Sequence, residues 1–286
     1  RAQERNEQDY RKNMNRHSKL EGWLKLSCET LDLEKIKKIR VGIFLFPALL
    51  KRLWSLEIPY PGGCNIGKRP IDEHLNAFSA FGYENMGEGE YIAFQWEDHG
   101  KDVIIRAGFA VTATENILMM AAFRRWKTTI ELAAIEPHVM NLVEFLRSIW
   151  TSIDVTYDHK MIINGSIIDQ NKAEYTVIGD YIEAGTFLVL GALTANPSIK
   201  IEWVNVSDLT AFLGKCSEAG VRYDITDSHT IVVYNSRSNL RSVHIQTNIY
   251  PGFPTDLQSP FALLLTQAEG ISRIHEILFE WRLNWL

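Results

Sequence analysis

A mixed α/β fold built from a repeated unit of about 70 residues is what this sequence predicts, and three observations carry the prediction. The segment Ala113 to Ala122 resembles Ala184 to Leu193 at an offset of about 71 residues. Each of these short apolar helices leads to a strand, Thr128 to Leu132 and Ser198 to Trp203, whose anchors Ile130 and Ile201 keep that offset. Further copies stand on both sides: Val41 to Leu53 leads to Leu56 to Pro59, and Phe261 to Gln267 leads to Ile271 to Ile277, with anchors Ile58 and Ile274. A unit reading helix, strand, helix, strand, strand buries its apolar faces only against its neighbours. Neither a Rossmann nor a TIM-barrel order fits this succession.

In chain order, the first three copies run from their strand into a second, amphipathic helix at Pro70 to Phe81, Pro137 to Ile149 and Ser207 to Ala219. Leu75, Phe78 and Phe81, then Val139, Leu142, Phe145 and Leu146, recur at three- and four-residue spacings that line one helical face. Ser207 with Asp208 stands where an N-cap belongs, and Gly82 and Gly220 where a C-cap glycine belongs. Tyr91 to Trp96, Met161 to Asn164 and Thr230 to Tyr234 alternate as antiparallel strands do. Ala173 to Glu183 lies between the second and third copies and is the expected domain crossing. The division is therefore 1–178, with residues 1–35 tail-like, and 179–286.

Composition narrows the function. The 286 residues carry a formal charge of -5 with 46% hydrophobic side chains, which disfavours nucleic acid or an anionic membrane surface as the main partner and favours small-molecule chemistry. The longest apolar run, Val41 to Leu50, contains Pro47 and is too short for the roughly 20 residues of a membrane span. Cys28, Cys64 and Cys216 are an odd set without CxxC spacing, so a reducing cytoplasm is expected. The eight histidines are scattered, and no metal site is expected. His74 reads as a packed or hydrogen-bonded histidine. Position 1 is Arg with no export segment behind it, which reads as a lost start or a fragment.

Two loops carry chemistry. In Pro61-Gly62-Gly63-Cys64-Asn65-Ile66-Gly67-Lys68-Arg69-Pro70, three glycines let backbone N–H groups approach an anion, and two cations precede a helix N-terminus. The same field would favour a Cys64 thiolate, although a glycine-rich turn with an incidental thiol accounts equally well for the spacing. Tyr250-Pro251-Gly252-Phe253-Pro254-Thr255-Asp256 is a rigid loop that delivers a carboxylate just before an apolar helix. Asp256 could be a general base there, but its position suits an N-cap better.

The loop PGGCNIGKRP, the segments TATENILMMA from Thr112 and IEAGTFL from Ile182, and PGFPTDLQSPFALLLTQAEG from Pro251 together resemble the UDP-N-acetylglucosamine 1-carboxyvinyltransferases of the enolpyruvyl transferase family. The order matches, and the resemblance runs roughly from Ile36 to Leu283. It implies an inside-out α/β barrel of two domains made from βαβαββ units, with the active site between them. The reaction implied is transfer of the enolpyruvyl group of phosphoenolpyruvate to the 3-hydroxyl of UDP-N-acetylglucosamine, the first committed step of peptidoglycan synthesis, with no cofactor. Carried over by motif, Cys64 resembles the cysteine that assists protonation at C-3 and that fosfomycin alkylates, and Asp256 resembles the carboxylate that takes the sugar hydroxyl proton. Arg69, with Pro70 beside it, and Arg40 resemble the phosphate-holding region. Glu136 matches the family's REPE segment, and Val111, Thr112, Leu278 and Phe279 match positions around the nucleotide sugar. Arg282 matches the arginine of FENRF.

Departures from the family pattern set further expectations. Ala110-Val111-Thr112 replaces Ser-Val-Gly, and loss of that hydroxyl contact is expected to weaken nucleotide-sugar binding by about 0.5 to 1.5 kcal/mol. Gly179-Asp180-Tyr181 replaces Pro-Asp-Arg beside the crossing, so domain closure is expected to differ. Residues 1 to 35 match none of the family's opening segment, and the closing segment is absent. The second domain is then expected to be partial, with apolar surface open to a partner chain. A noncatalytic homologue that binds a nucleotide sugar or a protein stands as the alternative to an enzyme.

Overall fold

The computed structural model describes residues 32–50, 55–62, 71–87, 91–96, 100–149, 151–165 and 173–284. Cys28, Cys64, Arg69, Pro70 and Trp150 lie outside these residues.

Among the described residues one repeat is complete. β4 (Val103–Arg106), α3 (Val111–Ala122), β5 (Thr128–Glu131), α4 (Pro137–Ser148), β6 (Ser152–Thr156) and β7 (Lys160–Asn164) form a βαβαββ unit. Its sheet has the order β4-β5-β7-β6, with β4 and β5 parallel and the other pairs antiparallel. The unit before it comprises α1 (Leu45–Leu50), β1 (Ser55–Pro59), α2 (Asp72–Ala80), β2 (Tyr83–Asn85) and β3 (Tyr91–Trp96), with sheet order β1-β3-β2. The unit after it has α5 (Tyr181–Thr194), β8 (Ser198–Ile201), α6 (Thr210–Glu218), β9 (Arg222–Asp227) and β10 (Thr230–Tyr234), with order β8-β10-β9. β11 (His244–Gln246), α7 (Gln258–Leu265) and β12 (Arg273–His275) begin a fourth, in which β11 and β12 are parallel.

Helices lie inside and sheets outside. Eight of the twelve residues of α3 are buried, and it packs on α1, α2 and α4 as well as on β5 and β7. β4 alternates buried Val103 and Ile105 with exposed Ile104 and Arg106, so only one sheet face meets the helices. Buried apolar side chains gather in two clusters, one from Ile43 to Ile163 and the other from Tyr181 to Leu265. Each holds an aromatic triad: Phe46, Phe78 and Phe94 in the first, Phe212, Phe253 and Phe261 in the second, with ring centroids 5.4 to 5.9 Å apart. The anchors Ile58 and Ile130 are fully buried and Ile201 nearly so, while Ile274 is half-buried. The repeat extends to backbone detail, because Leu132 and Trp203 both adopt positive φ, at 53° and 66°. That conformation ends each strand, so Leu132 falls outside β5 and Trp203 outside β8, although the repeat placed both within their strands.

Other boundaries moved for identifiable reasons. The first helix was expected from Val41 to Leu53; residues Arg40–Phe44 are instead a 3₁₀ helix and α1 begins at Leu45. Pro47 has no N–H for the carbonyl of Ile43, four residues back, so an α-helix through this point would leave that oxygen without its bond. Asn116 Nδ2 supplies the donor instead, at 3.1 Å. Ser207 and Asp208 do not cap the third amphipathic helix, since a 3₁₀ turn over Val206–Leu209 precedes α6 and no side chain caps either. α7 starts at Gln258 rather than Phe261, and the strand expected over Ile271 to Ile277 is only β12. Gly82 and Gly220 do end α2 and α6 in the left-handed region, at φ 93° and 86°, where a side chain would be strained.

The crossing between clusters is pinned at both ends. Tyr175 packs edge-on to Phe145 of α4 and its hydroxyl meets the Asn141 side chain at 2.7 Å. Gly179 lies so close to the Trp203 carbonyl that a Cβ would stand 1.7 Å from it. Asp180 then caps α5, accepting from the N–H groups of Ile182 and Glu183.

Candidate active site between the two clusters

Where the crossing enters α5, side chains of both clusters converge. Glu136 occupies the N-cap position of α4, ahead of Pro137, and is half-buried. Burial lifts its pKa above the ordinary carboxylate range, an effect partly offset by backbone N–H groups that include that of Tyr250 from the second cluster. One carboxylate oxygen, Oε2, is buried with no hydrogen-bond partner. Glu115, one helical turn beyond Val111 on α3, has its pKa pushed to about 7 by burial and then by Glu136. Tyr181, at the start of α5, is buried, and desolvation together with the nearby Glu136 and Asp256 carboxylates raises its phenol pKa. Its ring meets that of Tyr250 edge-on at 6.4 Å.

Asp256 sits in the 3₁₀ turn Thr255–Leu257 that precedes α7, and its side chain caps nothing. The N-cap expectation fails because the turn rotates the carboxylate away from the helix and toward Arg282, with which Oδ1 forms an ion pair. Arg282 also lies over the Phe279 ring at 6.0 Å. Leu278 and Phe279 donate their backbone N–H groups to Glu276 Oε1, at 2.6 and 3.1 Å. The loop itself is fixed from below. Phe253 inserts into the second aromatic triad, and Leu257 approaches α5 so closely that a Cβ on Gly185 would stand 2.5 Å from its Cδ1.

A third group lies at the start of α3. Thr112 Oγ1 meets His74 Nε2 at 3.1 Å, and His74 Nδ1 meets Asn116 Nδ2 at 2.9 Å. Asn116 gives its NH₂ to the Ile43 carbonyl, so Nδ1 must accept and Nε2–H must donate to Thr112. The imidazole is thereby held neutral. Burial and then Arg40 lower its pKa to about 4. His74 is thus a hydrogen-bonded structural histidine, as expected, and it ties Arg40 and Thr112 into one neighbourhood. Ala110 precedes α3 without a side-chain cap, which leaves the first N–H groups of that helix open to an anion.

Of the residues singled out in the sequence, Asp256, Arg282, Leu278 and Phe279 form one neighbourhood and Arg40, Val111 and Thr112 another, with Glu136 between the clusters. Glu115 and Glu276 were not singled out, and Tyr181 was marked only as a departure from the family pattern at the crossing. Glu115 and Glu276 look like ordinary surface carboxylates in sequence, and only the fold turns them inward. Among the described residues no group of three or more His, Cys, Asp or Glu side chains could hold a metal ion, and no helix is long and apolar enough to cross a membrane.

The family model described as EPSP synthase (3-phosphoshikimate 1-carboxyvinyltransferase) matches residues 38–285. A UDP-N-acetylglucosamine 1-carboxyvinyltransferase 2 of Prochlorococcus marinus is 37% identical over 281 residues, covering 96% of this chain and 65% of the relative. The corresponding enzyme 1 of Clostridium perfringens is 37% identical over 250 residues, 86% of this chain and 59% of its own. That of Helicobacter hepaticus is 39% identical over 250 residues, 86% and 58%. The chain therefore spans less than two thirds of the length of these relatives. Among solved structures, the enolpyruvyl transferase NikO of Streptomyces tendae superposes with a TM-score of 0.75 at 21% identity over 89% of this chain and 59% of that one. EPSP synthase of Acinetobacter baumannii gives 0.53 at 16% over 82% and 55%. The inside-out α/β arrangement is thus that of the enolpyruvyl transferases.

Proposed function

Because this chain belongs to the EPSP synthase (3-phosphoshikimate 1-carboxyvinyltransferase) family, we propose that it transfers the enolpyruvyl group of phosphoenolpyruvate to the 3-hydroxyl of UDP-N-acetylglucosamine and releases phosphate. The observation that carries this reading is the Asp256 carboxylate, held by Arg282 on a rigid loop at the meeting of the two clusters. With Oδ1 engaged by the guanidinium, Oδ2 is the oxygen that takes the hydroxyl proton as the sugar oxygen bonds to C-2 of phosphoenolpyruvate. A proton delivered to C-3, in which Cys64 assists, completes a tetrahedral adduct. Breaking the C-2 to phosphate bond and losing one C-3 proton then yields the enol ether and phosphate.

The remaining groups have roles that fit the charges involved. Arg40 and Arg69, beside Pro70, would hold the phosphoenolpyruvate phosphate, for which guanidinium groups are suited. Val111 and Thr112 offer backbone N–H groups and helix-dipole potential to the nucleotide diphosphate. Leu278 and Phe279 supply the wall against the nucleotide sugar, and Glu136 supports the site from the first cluster. The division at 178/179 into two domains is part of the same reading, and so is a partner chain over the exposed Phe187, Leu190 and Leu263 of α5 and α7.

Phosphate release from phosphoenolpyruvate, measured with and without UDP-N-acetylglucosamine, tests the function. Sugar-dependent release that Asp256→Ala and Cys64→Ser abolish is expected; release that ignores the sugar, or none from folded protein, overturns it.

A further inference from the structure

Glu276 gathers more donors than any ordinary surface carboxylate has room for. Its Oε1 accepts from Thr247 Oγ1 at 2.9 Å and from the N–H groups of Leu278 and Phe279 at 2.6 and 3.1 Å. Its Oε2 accepts from Thr255 Oγ1 and Gln258 Nε2, both at 2.7 Å. Thr247 and Gln258 are fully buried. The donors come from three separate stretches: the end of β11, the two flanks of Asp256, and the backbone that leads to Arg282. A carboxylate has about four lone-pair directions, so this one is saturated, and no neutral side chain of its size can accept on both arms.

We propose that Glu276 is a positioning residue for the transfer, one that locks the Asp256 loop to the Leu278, Phe279 and Arg282 segment so that the proton acceptor and the nucleotide-sugar wall are held as one piece. The inference rests on the function proposed above. Its force comes from which donors can turn. The hydroxyls of Thr247 and Thr255 can rotate to accept, but the backbone N–H groups of Leu278 and Phe279 and the Gln258 amide as oriented can only donate. Glu276→Gln keeps the volume and places an NH₂ against one of those two sides. Either the loop or the wall is then released.

The experiment compares the unaltered chain with Glu276→Gln by two readouts: sugar-dependent phosphate release, and amide hydrogen exchange over residues 249–258 and 277–284. In Glu276→Gln, kcat falls about 10²-fold, the loss expected of a displacement near 1 Å, while KM for phosphoenolpyruvate stays within a few-fold. Exchange rises in the segment whose donors face the new NH₂, 249–258 or 277–284, and the β8-β10-β9 sheet keeps its protection. Thr255→Val, which removes one donor and leaves the wall bonded, raises exchange in 249–258 alone and lowers kcat less. Unchanged exchange in both segments of Glu276→Gln, faster exchange with unchanged kcat, or protection lost equally in the β8-β10-β9 sheet would overturn the proposal. If the unaltered chain releases no phosphate, the transferase reading fails, and the exchange readout still accepts or rejects the coupling.

Discussion

Replacing Glu115 by Gln stabilises this protein above neutral pH and does not do so in mild acid. The side chain is half-buried on α3, and burial followed by the Glu136 charge raises its pKa from an ordinary 4.5 to about 7. In the unfolded chain the carboxyl ionises near its ordinary value. Between those two points the folded protein therefore binds the extra proton, and stability falls as pH rises from about 4.5 to about 7, after which the penalty is complete. At 1.36 kcal/mol per tenfold change in proton affinity, the full effect is about 3 kcal/mol at most. Glu115→Gln has no such penalty. Urea unfolding of both proteins near pH 4.5 and near pH 8 reads the difference directly. The variant is expected to gain about 2 to 3 kcal/mol relative to the unaltered chain between the two conditions. A stability difference that is the same at both pH values would refute the reasoning.

Other outcomes follow from the same geometry. His74 has its pKa lowered from 6.5 to about 4, so the stability it contributes is present above about pH 6.5 and is lost as pH falls toward 4; an imidazole NMR titration with its midpoint near 6.5 would contradict this. Phe253→Ala removes one ring of the second aromatic triad and should cost about 3 to 5 kcal/mol in chemical unfolding, with sugar-dependent turnover reduced in the protein that remains folded. Cys216 is buried with its thiol pKa raised, so fosfomycin should label Cys64 and leave Cys216 unmodified, as peptide mass spectrometry of the folded protein would show. Gly185→Ala forces a methyl against Leu257 and should displace the Asp256 loop, lowering kcat, whereas Gly214→Ala, where nothing lies within 4 Å, should not.

How much of this was legible in the sequence depends on whether the determinant was local or distant. The repeat was legible because equal offsets record equal packing environments: Ile130 and Ile201 anchor equivalent strands, and the left-handed Leu132 and Trp203 end them. Asp256, Glu136, Arg282, Leu278 and Phe279 were legible as motif positions, and the fold carries them to the meeting of the two clusters. The short leading strands β4 and β11 were not, since three or four residues give too little alternation to read and their identity comes from parallel partners far along the chain. Nor could spacing show that Asp256 declines the helix cap, because the competing partner, Arg282, is 26 residues away. Tyr181 is the instructive case. In sequence it was a missing arginine; in the fold its ring is buried beside Tyr250 and its phenol answers to Glu136 and Asp256. A guanidinium there would neutralise Glu136, whereas a phenol leaves the Glu136 charge to be met by substrate or solvent, Asp256 being paired already with Arg282. That places the functional weight of the substitution on the electrostatics of the crossing, where an arginine restored by Tyr181→Arg would lower the pKa of Glu136.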